Sequence, residues 1–215
     1  MPKQKGFLMV TMEPPPALED EFNDWYDTEH VPERGALPGF ESARRFVCVS
    51  GWPRYLAFYD LTEAAVLESE AYRKVSWAGF SPWTKRVLRS VRGQYRASGD
   101  QIYPGGALTG EMCRMVLIRF RGVPDSEAPA IQQGLLKNYE ARRETSQIRL
   151  FRSDYDNRID YIALIEAAAP FADAHLDATL FGPAGKRIDI CNEYSPYWIR
   201  GHLAGVFPPS AKQSG

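Results

Sequence analysis

The chain has 215 residues, 26 lysines and arginines against 27 aspartates and glutamates, and a formal net charge of −1 at pH 7. That length suits one medium domain or two small ones packed together. Because the charges are balanced, the chain has no excess of positive charge that would indicate binding to nucleic acid or anionic lipid. The N-terminal apolar stretch is too short for a signal peptide or a membrane span, so we expect a cytoplasmic protein with neither nucleic acid nor membrane as partner.

Three histidines and three cysteines restrict the metal chemistry that is open to this chain. Cys48, Cys113 and Cys191 lie far apart in apolar runs, and no Cys-x-x-Cys pair or Cys/His cluster has zinc spacing. The chain also lacks a P-loop, a GxGxxG motif and a GxSxG motif. We therefore predict reduced cysteines, no metal site and no bound cofactor.

In the first half, residues 1–98, apolar residues alternate with polar ones in some segments and recur every three to four residues in others. These patterns predict strands and helices in the order β-α-β-β-α-β. A strand over 6–12 is followed by an amphipathic helix that begins after Pro14-Pro15-Pro16 and runs to His30. The rest of the half contains strands over 40–50 and 54–61, a largely helical region over 63–90 with a break at Phe80-Ser81-Pro82, and a strand over 91–98.

The same order recurs in the second half, residues 111–195, after a Gly- and Pro-containing linker over 99–110. RYLAFYDLTEAAV (54–66) aligns without gaps with DYIALIEAAAPFA (160–172), which indicates an internal duplication. An irregular tail covers 196–215. The predicted elements of this half are strands over 112–121, 146–153, 159–166 and 187–194 and helices over 125–144 and 171–181.

The order β-α-β-β-α-β is that of a ferredoxin-like unit, whose four-stranded antiparallel sheet carries helices on one face only. The other face has to be covered, and two units in one chain can cover each other. We therefore predict an α+β fold in which two fused ferredoxin-like units pack their antiparallel sheets into an α+β barrel. Neither half is expected to fold well alone, and a homodimer of the whole chain stays an open alternative.

The most unusual segment is DWYDTEHVPER, residues 24–34. Phe22, Tyr26 and His30 follow one another at four-residue spacing and share a helix face. Pro32 predicts that the helix ends near His30 and that Val31 is extended. His30 would then face the mouth between helix and sheet and titrate near neutrality, as general acid–base catalysis requires. In the alternative reading, His30 only caps the helix.

This segment resembles the signature of the EthD-like branch of the dimeric α+β barrel superfamily, in which a W-Y-x-x-E/H-H-x-P helix end precedes a PGF turn and an R-R-[YF] strand. The second half matches only in its order of elements. The resemblance implies the barrel fold. It does not imply one reaction, because the superfamily includes cofactor-free oxygenases, cyclases, isomerases, lyases and haem enzymes. The matching residues are Trp25, Tyr26, Glu29, His30, Pro32, Pro38-Gly39-Phe40 and Arg44-Arg45-Phe46.

The leading functional hypothesis is a cofactor-free lyase or isomerase that acts by proton transfer on a small hydrophobic, aromatic or carbonyl-containing compound in catabolism or secondary metabolism. His30 would be the general base or acid, with Glu29 or Glu33 as its orienting partner. Tyr26 would donate a hydrogen bond to a developing oxyanion. The substrate-binding residues would be Trp25, Arg44, Tyr59, Phe22 and Tyr95.

Two other functions compete with this hypothesis. One is a cofactor-independent monooxygenase, and the other is a barrel protein that binds a small ligand without catalysis. A haem enzyme would need an axial ligand, for which His175 is the candidate in the second half. His202, in the tail, is expected to have no role in the site.

Overall fold

The computed structural model describes residues 4–155, 157–172 and 176–197. These residues form eight strands: β1 (Gly6–Glu13), β2 (Arg44–Ser50), β3 (Tyr55–Leu61), β4 (Arg92–Tyr103), β5 (Arg114–Arg121), β6 (Thr145–Tyr155), β7 (Arg158–Ala167) and β8 (Ile188–Pro196). The strands close into one antiparallel barrel with the order β1-β3-β2-β8-β5-β7-β6-β4. The predicted α+β barrel is confirmed.

Each half supplies four strands in the same spatial order. In the first half β1 lies between β3 and β4, and β3 also pairs with β2. In the second half β5 lies between β7 and β8, and β7 also pairs with β6. The halves meet along β2–β8 and β4–β6. The aligned segments contain β3 and β7, which hold equivalent places, so the repeated order of elements is confirmed.

The barrel interior is filled by apolar side chains from all eight strands. Alternate residues of each strand point inward, so both halves contribute to one cluster. The ring centroid of Phe151 in the second half lies 4.7 Å from that of Phe7 and 5.3 Å from that of Phe58, both in the first half. Towards one end, the fully buried Arg149 donates to Asp60 at 2.7 Å, so a second contact between the halves is ionic.

Helices cover the outer faces of the two half-sheets. The first half has α1 (Glu19–Trp25), α2 (Val31–Gly35), α3 (Glu70–Lys74) and α4 (Pro82–Ser90), and the second has α5 (Ala128–Tyr139). Short 3-10 segments cover Pro16–Leu18, Ala64–Glu68, Trp77–Gly79, Asp125–Glu127 and Ala178–Arg187. In the part of the chain that the structure describes, no helix has the length and apolar character needed to cross a membrane.

The observed elements differ from the predicted ones in several places. β4 continues to Tyr103, so residues 99–103, expected in the linker, belong to the barrel and pair with β6. Gly99, which was predicted to lie in the linker, allows β4 to approach β6 closely. A Cβ at this position would lie 2.1 Å from the carbonyl oxygen of Arg152. The region 63–90 forms short helices because Ser69 and Ser81 each cap a new one.

Another difference concerns the helix expected over 171–181. Its described part begins only at Ala178 and is 3-10 in character, and Pro183 within it lacks the amide that an α-helix would use. His175 lies outside the described residues. So do His202 and the rest of the predicted tail after Tyr197.

We expect residues 1–103 and 104–215 to fail to fold when each is expressed alone, because each would expose its side of the barrel cluster to water. Each half should lack a near-ultraviolet circular dichroism signal and a cooperative thermal transition. The control is the intact chain with a protease site inserted between Pro104 and Gly110, which should keep both signals after cleavage. A cooperative transition in either isolated half would contradict the shared core.

Candidate functional site

The helix that carries His30 does not end at Pro32. Tyr26–His30 form a π-helical turn between α1 and α2, and Val31 is helical with φ −71° and ψ −45°. A proline inside a regular α-helix clashes with the preceding turn and removes one backbone hydrogen bond. The wider π-helical turn before Pro32 accommodates the proline ring, so the helix continues. The prediction of an extended Val31 and a helix end near His30 is therefore wrong. His30 lies within a helix that continues to Gly35.

A cavity of about 180 Å³ lies between this helix and the outer face of the first half-sheet. We call it the His30 cavity. Its apolar walls come from β1, from α4 and from the segment before α4. It is lined by Leu8, Val10, Met12, His30, Arg34, Tyr72, Ser76, Trp77, Phe80, Leu88, Gln94 and Arg96.

The imidazole of His30 is held against aromatic rings and has a nitrogen without a partner. Its ring centroid lies 4.4 Å from that of Trp25 and 5.4 Å from that of Tyr26. Nδ1 is buried and forms no hydrogen bond. Burial, together with the positive charges of Arg34 and Arg45, holds the pKa of His30 well below its usual value of 6.5. The imidazole is therefore neutral at pH 7, rather than titrating near neutrality as predicted.

Arg34 brings a buried positive charge to the same cavity. Its guanidinium lies 5.0 Å from the ring centroid of Tyr72 and donates to the carbonyl oxygen of Val75 at 2.5 Å and to Ser76 Oγ at 3.3 Å. These contacts tie α2 to the segment after α3. Arg34 therefore acts both as a structural tie and as a fixed cation beside the neutral His30.

Trp77 and Arg96 form the outer part of the cavity. Trp77 is 64% exposed and has a positive φ of 51°, a conformation that is rare for a bulky side chain. The guanidinium of Arg96 lies 5.9 Å from the Trp77 ring centroid, and it also donates to Tyr72 Oη at 3.4 Å. An exposed, strained tryptophan beside a cation is typical of a position retained for function rather than for packing.

Glu29, the predicted orienting partner of His30, bonds elsewhere. Its Oε1 accepts hydrogen bonds from Ser81 Oγ at 2.5 Å and from Thr84 Oγ1 at 3.0 Å, at the N-terminus of α4. Thr84 Oγ1 in turn accepts from Trp25 Nε1 at 2.9 Å. Glu29 thus fastens the π turn to α4. Within the described residues, no hydrogen bond joins Glu29 or Glu33 to His30.

Tyr26 and its neighbours form the packed support behind His30 rather than the cavity wall. Tyr26 is 2% exposed, and burial raises its pKa to about 12. Phe22 and Trp25 are also buried, and the Phe22 ring centroid lies 5.0 Å from that of Tyr26. Tyr59 is buried in the same cluster, and its hydroxyl has no hydrogen-bond partner.

Arg44 and Tyr95 point away from the His30 cavity. Arg44 forms an ion pair with Glu111 at 3.1 Å, and Tyr95 donates to Asp160 at 2.8 Å. Successive strand residues face opposite sides of a sheet, so their neighbours Arg45 and Arg96 are the ones on the helix side. His30 is therefore the one member of the predicted set that lines the described cavity.

Sequence reasoning missed Arg34 and Arg96 as site residues, although a signal existed for each. Arg34 follows His30 by four residues and shares its helix face once the helix continues past Pro32. Arg96 faces Val10 across the β1–β4 pair, on the side that carries Leu8 and Met12.

In the second half, α5 packs closely against the 3-10 segment that contains Phe181. A Cβ on Gly134 of α5 would lie 2.3 Å from the Phe181 ring, and the Phe120 and Phe181 ring centroids are 5.0 Å apart. A haem group needs an axial ligand and a large cavity. The described residues of this half contain no histidine that could serve as this ligand. The candidate ligand His175 lies outside them.

No protein-family model matches the chain, and a search of curated proteins finds no match. Solved structures are similar in fold. An anthrone oxidase-like protein has a TM-score of 0.65 at 11% identity, over 91% of this chain and 92% of that one. A proposed chlorite dismutase has a TM-score of 0.54 at 9% identity, over 95% and 99% of the two chains.

A proposed monooxygenase from Lactobacillus acidophilus NCFM has a TM-score of 0.52 at 8% identity, over 91% of this chain and 94% of that one. At such low identities these likenesses show a shared ferredoxin-like α+β barrel fold. They do not single out the EthD-like branch, and none of the three proteins is named as a lyase or an isomerase.

We expect Thr84→Val to lower the free energy of unfolding by about 1–3 kcal/mol, because it leaves the buried Trp25 Nε1 without an acceptor. Denaturant titration measures this change. Thr62→Val, at an exposed position, is the matched control and should change stability by less than about 0.5 kcal/mol. Equal effects of the two substitutions would show that the link between the π turn and α4 contributes little.

The low pKa of His30 makes stability depend on pH. Below about pH 6.5 the unfolded chain binds a proton on His30 that the folded chain does not, so the free energy of unfolding falls as the pH drops. We expect His30→Phe to remove up to about 1.4 kcal/mol per pH unit of this dependence between pH 6.5 and 5 and to leave the slope above pH 7 unchanged. Parallel curves for the two proteins would contradict a neutral, buried His30.

Proposed function

We propose that the protein is a cofactor-independent oxygenase that oxidises a small aromatic compound with O2, with neutral His30 as the general base. The observation that carries the proposal is the imidazole itself, which is neutral and lines an apolar cavity together with two arginines. The anthrone oxidase-like fold neighbour supports oxygenation over the lyase or isomerase reaction that the sequence favoured.

The cavity suits a flat apolar substrate that can become an anion. Leu8, Val10 and Met12 supply apolar contact on the sheet side, and each square ångström of apolar surface buried contributes about 25 cal/mol. Arg34 and Arg96 supply fixed positive charge on two sides. A phenol or an anthrone-type ketone combines these properties, because loss of one proton spreads negative charge over an aromatic system.

The chemistry begins with proton transfer to His30. A neutral imidazole accepts a proton from an acidic C–H, and the resulting enolate is stabilised by the guanidinium groups rather than by water. Tyr26, the expected oxyanion donor, is replaced in this role by Arg34 and Arg96, because Tyr26 does not line the cavity. Its high pKa and aromatic contacts make it a support for the imidazole.

The oxygen step balances without an external reductant. The enolate gives one electron to O2, and the carbon radical and superoxide combine to form a peroxide. His30 returns its proton to the peroxide and takes the second C–H proton as the O–O bond breaks. Hydroxide leaves and is protonated to water, so that a methylene and O2 become a carbonyl and water.

We expect the purified protein to accelerate O2 uptake with anthrone above the autoxidation rate, with one anthraquinone formed per O2 consumed. His30→Phe should lower the rate by about 10²–10⁴-fold with its near-ultraviolet circular dichroism unchanged. An oxygen electrode and product absorbance measure both quantities. Lys137→Ala, at an exposed position on α5, is the control and should retain full activity.

Three results would overturn the proposal, each in a different way. Full activity in His30→Phe would remove His30 as the base. Conversion of aromatic ketones or phenols without O2 consumption would favour the lyase or isomerase hypothesis instead. Binding of the aromatic compound without any turnover would indicate a ligand-binding barrel protein.

A further inference from the structure

The His30 cavity is the first of three adjoining cavities along one rim of the barrel. The second, of about 290 Å³, is lined by Trp77, Gln94, Tyr95, Arg96 and Arg158, so it shares Trp77, Gln94 and Arg96 with the first. We call it the middle cavity. The third, of about 380 Å³, shares Arg158 with the middle one and contains Arg121, Gly122, Lys186, Arg187, Ile188 and Asp189. We call it the basic cavity.

The charges in the basic cavity are unbalanced. Asp189 is the carboxylate that lines it, and it already forms a two-point contact with Arg119, at 2.7 Å for each bond, and a longer contact with Arg121 at 3.5 Å. Asp160 pairs with Arg158 at 3.0 Å. Lys186 and Arg187 form no ion pair within the described residues. In a chain of net charge −1, this rim holds an excess of positive charge that is not neutralised locally.

We propose that the substrate is bipartite, with an aromatic head in the His30 cavity and a phosphate-bearing tail in the basic cavity. The head rests on the proposed function, and the tail site stands on its own geometry. A single carboxylate is matched by one arginine, whereas several cations around one cavity suit an anion of charge −2 or more. Guanidinium groups such as those of Arg121 and Arg187 bind phosphate oxygens in pairs.

The middle cavity would hold the connection between head and tail. Trp77, exposed and with a left-handed backbone, borders both the His30 and the middle cavities, and Arg96 lies beneath it. Gln94 also borders both cavities, so a flexible chain in the middle cavity would run beside Trp77 and Gln94. A tail bound by its phosphate would raise the effective concentration of the head at His30 without any new contact to the ring.

The test compares phenylalkyl phosphates of increasing chain length with the corresponding phenylalkyl alcohols, by calorimetry in low salt. For the best chain length, we expect the phosphate to bind at least about tenfold more tightly than the alcohol. The double variant Lys186→Ala/Arg187→Ala should lose this difference, and so should the wild type in high salt. The control Arg89→Ala/Lys137→Ala removes the same charge from exposed positions elsewhere and should retain the difference.

Inorganic pyrophosphate separates the two possible sources of an anion. We expect it to compete with the phenylalkyl phosphate in the wild type and not to bind the Lys186→Ala/Arg187→Ala variant. If pyrophosphate binds but the phosphates gain nothing over the alcohols at any length, the cavity takes a free anion and the bipartite substrate is overturned. If neither binds, the tail site is overturned. Neither result touches the oxygenase proposal, whose test is turnover of anthrone.

Discussion

The structure depends on one requirement, that the bare faces of two four-stranded sheets bury each other. Rings from both halves meet in the interior, and the buried Arg149 pairs both with Glu166 of its own half and with Asp60 of the other half. A buried ion pair of this kind is costly to break from either side, which fixes how the halves fit together. Because closure uses only the inner faces, the outer faces are free to differ. The outer face of the first half carries the His30 cavity, whereas on the outer face of the second half Phe181 packs tightly against α5.

The cavity on the first outer face depends on a local irregularity in a helix. The π turn before Pro32 keeps the chain helical, and this places His30 and Arg34 on the same cavity. Glu29 holds the turn in place through α4. The imidazole is then buried among aromatic rings and positive charges, and both influences favour its neutral form. The chemistry of the site thus follows from packing more than from any hydrogen bond to the imidazole.

Sequence reasoning predicted the barrel, and of the site residues that it named, His30 lines the His30 cavity. Strand periodicity is a short-range pattern, and the internal repeat is a direct match between two segments of the sequence, so both can be read without the structure. The predicted helix end at Pro32 was wrong because a proline normally ends a helix, and a π-helical turn leaves no signature in the amino-acid composition. Glu29 was placed beside His30 because it is adjacent in sequence, yet Ser81 and Thr84 compete for its carboxylate from α4. Such long-range partners cannot be read from spacing.

The packing of Phe181 against α5 in the second half offers a starting point for protein design. Its outer face has the same strand order as the first, and the Phe181 ring lies where a side chain on Gly134 would otherwise point. Replacing Phe181 with alanine would leave an apolar void of the size of a benzene ring inside a scaffold whose barrel interior is untouched. A dry void of this kind accepts small aromatic guests. One chain could then hold two independent guest-binding chambers, one natural and one introduced, on opposite sides of a common barrel.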